Sequence, residues 1–202
     1  MSDHARREYF DELSGRWDGF TDGDRVREAL HSALSGYAIG SDEHVFDLGC
    51  GTGNLTRVLA AMLGPQGRIT AVDFSSAMVA VASGKFTDAR VRWLVADAAM
   101  LPVDDGSAER VICFSAWPHF PDPHAVGREL FRVLRPDGTL HILHIDSREK
   151  INAIHTGVGG PLAADLLPPV HTLATILLSC GFTVHETVET GSAYRLSARR
   201  PG

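Results

Sequence analysis

The run Asp47-Leu48-Gly49-Cys50-Gly51-Thr52-Gly53 places glycines at alternate positions directly after an acid. Glycines in that spacing let a backbone turn through positive φ and come close to a ligand. What the run lacks narrows the ligand. A dinucleotide fingerprint G-x-G-x-x-G/A counted from Gly49 needs Gly or Ala at position 54, where Asn54 stands. A P-loop needs Gly-Lys-Ser/Thr, and Gly53 is followed by Asn54 instead. No cation lies within the run, and Asp47 stands at its head. The chemistry favoured is capture of a ligand with positive groups and no phosphates. The plainer alternative is a tight turn that needs glycine for its own geometry.

Further acids follow at measured intervals. Asp73 ends a hydrophobic run, Ile69-Thr70-Ala71-Val72, at the distance where a carboxylate holds ribose hydroxyls in open α/β sheets; capping the next helix is its alternative role. Asp97 follows Val91–Val95 within Ala96-Asp97-Ala98. There a carboxylate accepts from an amino group while the neighbouring amide donates to a ring nitrogen, enough to read an adenine edge. Met100 and Leu101 are expected to supply apolar contact to that ring.

Elements must bring these residues to one edge. Strand-like and helix-like stretches alternate, the signature of a parallel α/β sheet. Strands are expected at His44–Leu48, Arg68–Asp73, Val91–Val95, 110–114 and 139–145, with helices at 54–63, 76–84 and 123–134 between them. Arg135-Pro136-Asp137-Gly138 reads as a turn. Beyond it lie short helices at 147–155 and 173–180, then period-two stretches at 182–187 and 193–198 that read as a closing hairpin. Amphipathic helices at 3–13 and 24–34 precede the first strand. The expectation is an α/β fold of one domain over residues 1–202: a Rossmann-like, mostly parallel seven-stranded sheet with a C-terminal antiparallel hairpin. Its parts are a helical cap at 1–40, a ligand-binding core at 42–145 and a C-terminal region at 146–202.

Composition sets the class. The chain has 202 residues, 44% hydrophobic and 22% charged, an ordinary soluble balance that excludes intrinsic disorder. The formal charge of −6 argues against nucleic-acid binding, which needs clustered cations. Cys50, Cys113 and Cys180 form no C-x-x-C pair, and free thiols point to a reducing, cytoplasmic setting. No apolar run is long enough to span a membrane, and the residues from Met1 to Arg7 carry no leader-like stretch.

Together these segments resemble the class I S-adenosylmethionine-dependent methyltransferases. The matching residues run Val45-Phe46-Asp47-Leu48-Gly49-Cys50-Gly51-Thr52-Gly53-Asn54, Ala71-Val72-Asp73-Phe74-Ser75, Ala96-Asp97-Ala98 and Phe131-Arg132-Val133-Leu134-Arg135-Pro136-Asp137-Gly138-Thr139-Leu140. Tyr9-Phe10-Asp11 and Trp17-Asp18 resemble the N-terminal cap of the ubiquinone and menaquinone branch. The resemblance implies that Asp47, Gly49, Cys50, Gly51, Gly53 and Asn54 take the methionine end of S-adenosylmethionine. Asp73 takes the ribose, Phe74 lies against adenine, and Asp97 with the Ala98 amide reads the adenine edge. Met78 and Ser115 complete the cofactor-binding set. A sulfonium and an ammonium suit an acidic, phosphate-free pocket. Transfer to a small-molecule acceptor is the activity expected. A tRNA or protein substrate, or a cofactor-binding module without catalysis, is the alternative.

The acceptor side is less defined. Ser115-Ala116-Trp117-Pro118-His119-Phe120 follows the fourth strand and lacks the Asn-Pro-Pro run of amino-methyltransferases. Trp117 and Phe120 offer an apolar wall, and Trp17, with Tyr9, Phe10 and Phe20, is expected to cover it. Arg148, Asn152 and His155 share one helical face as a candidate substrate grip, with Ile151 and Ile154 facing the core. His119, His144 and His155 are the candidate catalytic bases, since an unperturbed imidazole titrates near pH 6.5. No H-x-x-x-H pair supports a metal, and none is expected. If the acceptor is already ionised, the histidines only shape the pocket.

Overall fold

The computed structural model describes residues 3–20 and 22–202. Met1 and Ser2, read above as the start of a leader-free N-terminus, lie outside the described residues. Helix α1 spans Asp3–Leu13, a 3-10 segment spans Ser14–Phe20, and α2 spans Gly23–Leu34. Then β1 (His44–Leu48), α3 (Asn54–Met62), β2 (Arg68–Asp73), α4 (Ser76–Lys85) and β3 (Val91–Val95) alternate. They are followed by β4 (Ala108–Phe114), α5 (Pro123–Val133), β5 (Leu134–His144), α6 (Arg148–Val158), α7 (Val170–Ser179), β6 (Thr183–Thr190) and β7 (Ala193–Arg199).

These strands form a seven-stranded sheet in the order β3-β2-β1-β4-β5-β7-β6. Strands β1 to β5 pair in parallel, and β7 runs antiparallel between β5 and β6. The order reverses beside β1, so the carboxyl ends of β1 and β4 diverge there and open a crevice. The expected sheet and hairpin are both present. Strand β5 begins earlier than position 139, because Leu134 pairs with Ala108 before the register shifts at the bulge that holds the 135–138 turn.

Both faces of the sheet are buried, which is why its strands are apolar at consecutive positions rather than alternate ones. Phe46, Val111, Cys113 and Ile142 face one core with Leu130, Leu173 and Leu177 of α5 and α7. Their neighbours Val45, Ile112 and Leu143 face the other, with Leu55 and Leu59 of α3. Val26, Leu30 and Leu34 of α2 belong to this second core. Within the 1–40 segment, α2 packs in the core on one face of the sheet, and α1 with the 3-10 segment lies over the crevice, where the aromatic cover is expected.

Candidate functional site

The crevice is floored by the glycine loop. Gly49, Gly51 and Gly53 all have positive φ (73°, 51° and 87°). The Gly49 and Cys50 amides both donate to the Val72 carbonyl, at 2.8 and 2.9 Å, pinning the loop to β2. A Cβ on Gly49 would sit 2.3 Å from that of Ala116, so the loop after β4 can approach only because no side chain is present. Gly53 serves another purpose: its α-carbon faces Trp93 and Ala82, allowing α3 to start close against α4. It does not line the pocket, whereas Gly49, Cys50, Gly51 and Asn54 do.

Asp47 is 1% exposed near the end of β1. Its Oδ2 accepts the Thr56 hydroxyl at 2.5 Å, and its Oδ1 is buried without a partner. Burial raises its pKa to about 7, and nearby Asp73 adds to the rise, against the Thr56 hydrogen bond that lowers it. An unpartnered buried carboxylate oxygen costs free energy until a donor arrives, and a cation suits it best. Asp73 is satisfied differently. Its Oδ2 accepts the Gly51 amide at 2.8 Å and its Oδ1 the Ser75 amide at 2.9 Å. Burial still raises its pKa above the ordinary value. Both carboxylates line the pocket, along with Phe74, Met78, Ala98 and Ser115. Ser115 takes a left-handed φ of 56° and its amide donates to the Leu143 carbonyl at 3.0 Å, which turns the chain away at the end of β4. Asp97 also lines the pocket, its Oδ1 accepting the Ala99 amide at 2.8 Å. Met100 and Leu101 do not join it. Met100 is 77% exposed, and Leu101 is drawn into the core below β4.

The N-terminal segment closes the mouth. Asp11 Oδ1 accepts the Ser75 hydroxyl at 2.5 Å and the Ala77 amide at 3.3 Å, docking α1 on the first turn of α4. Asp18 Oδ1 accepts the Thr52 hydroxyl at 2.5 Å, tying the 3-10 segment to the glycine loop. Phe10 packs edge-on against Phe74 with ring centroids 5.5 Å apart, and Trp17 lines the same pocket. Tyr9 packs on Phe10 as a second layer. Phe20 is 63% exposed and does not line the pocket; it packs edge-on against Trp17, with centroids 6.2 Å apart.

On the acceptor side, Phe120 lines the pocket but Trp117 does not; Trp117 is buried beneath it, edge-on at 5.6 Å. The proposed grip on α6 is engaged elsewhere. Arg148 Nε donates to Glu189 at 2.5 Å, and the Asn152 amide group bonds both the Leu167 amide and its carbonyl. Neither side chain lines the pocket, since α6 turns that face toward β6 and the segment before α7. Ile154 is 50% exposed, while Ile151 packs on the core as expected.

The three predicted histidines do gather. His119 and His155 rings lie 5.0 Å apart, and both act electrostatically on His144. Only His119 lines the pocket. His144 is buried, its Nε2 has no partner, and burial first, then the two other imidazoles, lowers its pKa to about 3. Among the described residues, no group of three or more His, Cys, Asp or Glu side chains could hold a metal ion.

Two partners of this cluster escaped the sequence reading. Asp165 Oδ2 accepts His119 Nδ1–H at 2.9 Å, and Asp165 Oδ1 accepts Arg6 Nη2–H at 2.6 Å. One signal pointed to Asp165: it is a lone charge inside Leu162-Ala163-Ala164-Asp165-Leu166-Leu167. A charge in such a stretch is buried only when paired.

The residues present fit S-adenosylmethionine. An orphaned carboxylate oxygen awaits a cation, a second carboxylate is braced by backbone amides, and Gly49 and Gly51 line the pocket without side chains. Comparison with known proteins agrees. Residues 46–142 match the methyltransferase domain family. The chain is 35% identical over 105 residues to the demethylmenaquinone methyltransferase of Lactobacillus johnsonii, covering 50% of this chain and 43% of that protein. It is 31% identical over 157 residues to the malonyl acyl-carrier-protein O-methyltransferase of Hahella chejuensis, covering 77% and 56%. The chain thus spans about half the length of the curated relatives it matches. In fold it is similar to the methyltransferase solved in complex with the Haloferax volcanii Trm112 activator, with a TM-score of 0.81 at 21% identity over 96% of this chain and 98% of that one. By sequence motif, strand order and pocket chemistry, the chain belongs to the class I S-adenosylmethionine-dependent methyltransferases.

Proposed function

We propose that the protein transfers a methyl group from S-adenosylmethionine to a flat, apolar small molecule bearing a dissociable proton, with His119 as the base. One observation carries the reading. The pocket has carboxylates on its floor, while its other wall is built from Phe10, Trp17 and Phe120, with Arg6 and Arg7 of α1 at its edge and one imidazole, His119. Asp47 is suited to the cofactor's ammonium, Asp73 to its ribose hydroxyls, and Phe74 with Asp97 and the Ala98 amide to its adenine. When bound, the cofactor supplies an electrophilic methyl group on a sulfonium. The protein's part is alignment and exclusion of water. His119 would take the acceptor's proton as the acceptor is methylated, so that the imidazole would carry the positive charge the sulfonium gives up. Base catalysis of this kind is worth about 10² to 10⁴ in rate.

Relatives named for demethylmenaquinone favour a quinol-like acceptor. Among the described residues, no helix is long and apolar enough to cross a membrane. Cys50, Cys113 and Cys180 are all free thiols, which suits the cytoplasm. The test is release of S-adenosylhomocysteine from the full chain with a panel of quinols, phenols, thiols and total tRNA. Turnover with quinols or phenols, and its loss in His119→Ala, is expected. Turnover with tRNA alone would overturn the small-molecule assignment, and thiol methylation at normal rates in His119→Ala would overturn the base.

A further inference from the structure

The Asp165 carboxylate is shared between α1 and the loop after β4. Its two oxygens are both used: Arg6 reaches Oδ1 through Nη2 at 2.6 Å and Oδ2 through Nε at 3.4 Å, and His119 Nδ1 reaches Oδ2 at 2.9 Å. All three side chains are buried, with relative exposures of 11% for Arg6, 11% for His119 and 4% for Asp165. The Asp165 backbone is held as well, its carbonyl accepting His155 Nδ1–H at 2.5 Å.

We propose that Asp165 is a positioning residue that fixes His119 with its proton on Nδ1 and its bare Nε2 toward the pocket, and that Arg6 makes this arrangement depend on the docking of α1. The inference rests on the reading of His119 as base. A carboxylate clasped by a guanidinium is an acceptor only, so the hydrogen between it and Nδ1 must come from the ring. A neutral imidazole has one N–H, which leaves Nε2 as the acceptor nitrogen. Among the described residues nothing hydrogen-bonds to that Nε2. Edge-on contact with Phe10 of α1, with centroids 5.1 Å apart, confines the ring on the lid side.

Charge follows the same geometry. The groups facing His119 are Asp165, Arg6 of α1, His155 of α6 and His144 of β5. Burial holds His119 below the ordinary imidazole value, with His155 and Arg6 acting in the same direction and Asp165 opposing them. The Asp165 carboxyl is itself held below its ordinary value: burial pushes it up, but the His119 and Arg6 hydrogen bonds outweigh it. With α1 docked, Arg6 neutralises Asp165 and His119 stays uncharged and able to accept a proton. With α1 lifted, Asp165 has His119 as its remaining side-chain partner, which favours imidazolium and silences the base. Lid closure and base readiness are thereby one event.

The experiment uses full-length protein labelled with 15N-histidine and saturated with S-adenosylhomocysteine. Long-range 1H–15N spectra are recorded from pH 5 to 9 for wild type, Asp165→Asn and Arg6→Met, with His119 assigned by its absence in His119→Gln. Wild type is expected to show protonated Nδ1 and bare Nε2. Asp165→Asn should lose that preference and titrate lower, and Arg6→Met should titrate higher, each by about tenfold or more in protonation ratio at fixed pH. A structural role alone does not move the two variants in opposite directions. Wild-type His119 with its proton on Nε2, or the same titration in all three proteins, would overturn the proposal, and the wild-type spectrum decides even if a variant does not fold. The spectra need no acceptor. If they come out as expected while His119→Ala turns over normally, the base reading fails and the Asp165 assignment stands.

Discussion

The Thr56 hydroxyl donates to one oxygen of Asp47 at 2.5 Å and leaves the other bare inside the pocket. Without a ligand, burial raises this carboxyl to about 7, so part of it is protonated at neutral pH. A cation placed against Oδ1 favours the ionised form. S-adenosylmethionine binding should therefore release a fraction of a proton near pH 7 and tighten as pH rises from 6 to 8. Calorimetry in two buffers of different ionisation enthalpy measures that release directly. Thr56→Val removes the hydrogen bond that lowers the pKa, so the proton release should move to higher pH in that variant, and an identical profile would show that Asp47 does not meet the ligand.

Asp73→Ala should weaken S-adenosylmethionine by about 1.5–3 kcal/mol, the usual contribution of a hydrogen bond to a charged group. The same change leaves the Gly51 and Ser75 amides without their acceptor, so it also loosens the loop. Asp73→Asn keeps one acceptor oxygen and is the cleaner probe. An unchanged affinity in the Asn variant would remove Asp73 from the ribose site.

Deleting residues 1–20 should leave a folded protein with little turnover. Neither sheet core includes a residue of α1 or of the 3-10 segment, whereas Phe10 and Trp17 both line the pocket. Circular dichroism is expected to show the α/β signature at a lowered melting temperature, since Asp165 loses its Arg6 partner. Normal methylation by the truncated chain would mean that α1 is not a lid.

A separate buried network should govern acid stability. Arg110 is clasped by Glu43 through Nε and Nη2 and donates from Nη1 to His141 Nε2 at 2.6 Å. His141 Nδ1–H then donates to Ser197 Oγ at 2.9 Å, and Ser197 to Glu186 at 2.7 Å, with Tyr37 stacked on the imidazole at 3.8 Å. Burial and then Arg110 hold His141 at about 3, so the folded protein keeps it neutral where an unfolded chain would protonate it. A depressed imidazole destabilises on acidification: from about pH 6.5 down to about 3 the unfolded state binds one more proton here. Replacing the group with His141→Gln should flatten the fall of unfolding free energy between pH 6 and 4, read by denaturant melts, by up to about 1.4 kcal/mol per pH unit. Cofactor affinity should not change, because His141 lies outside the pocket. Parallel pH curves for the two proteins would contradict the network.

The glycine loop and the strand-end acids were readable in the chain because they are local. Asp47, Gly49 and Gly51 are adjacent in sequence and stay adjacent in space, and Asp73 and Asp97 are carried to the same edge by strands whose apolar runs announce them. The parallel sheet followed from the same alternation, and the closing hairpin from its period-two stretches. What the tertiary structure decided are contacts between distant segments. Arg6 and Asp165 lie 159 positions apart, and no spacing rule joins them. Helical periodicity put Arg148, Asn152 and His155 on one face, but which way that face points depends on how α6 packs, and it packs toward Glu189 and Leu167. Gly53 looked like a ligand glycine and proved to be where α3 meets α4, because a missing Cβ serves a close helix as well as a close ligand. Local order follows from neighbours along the chain; the partner of a buried charge follows from which surfaces the whole fold presses together.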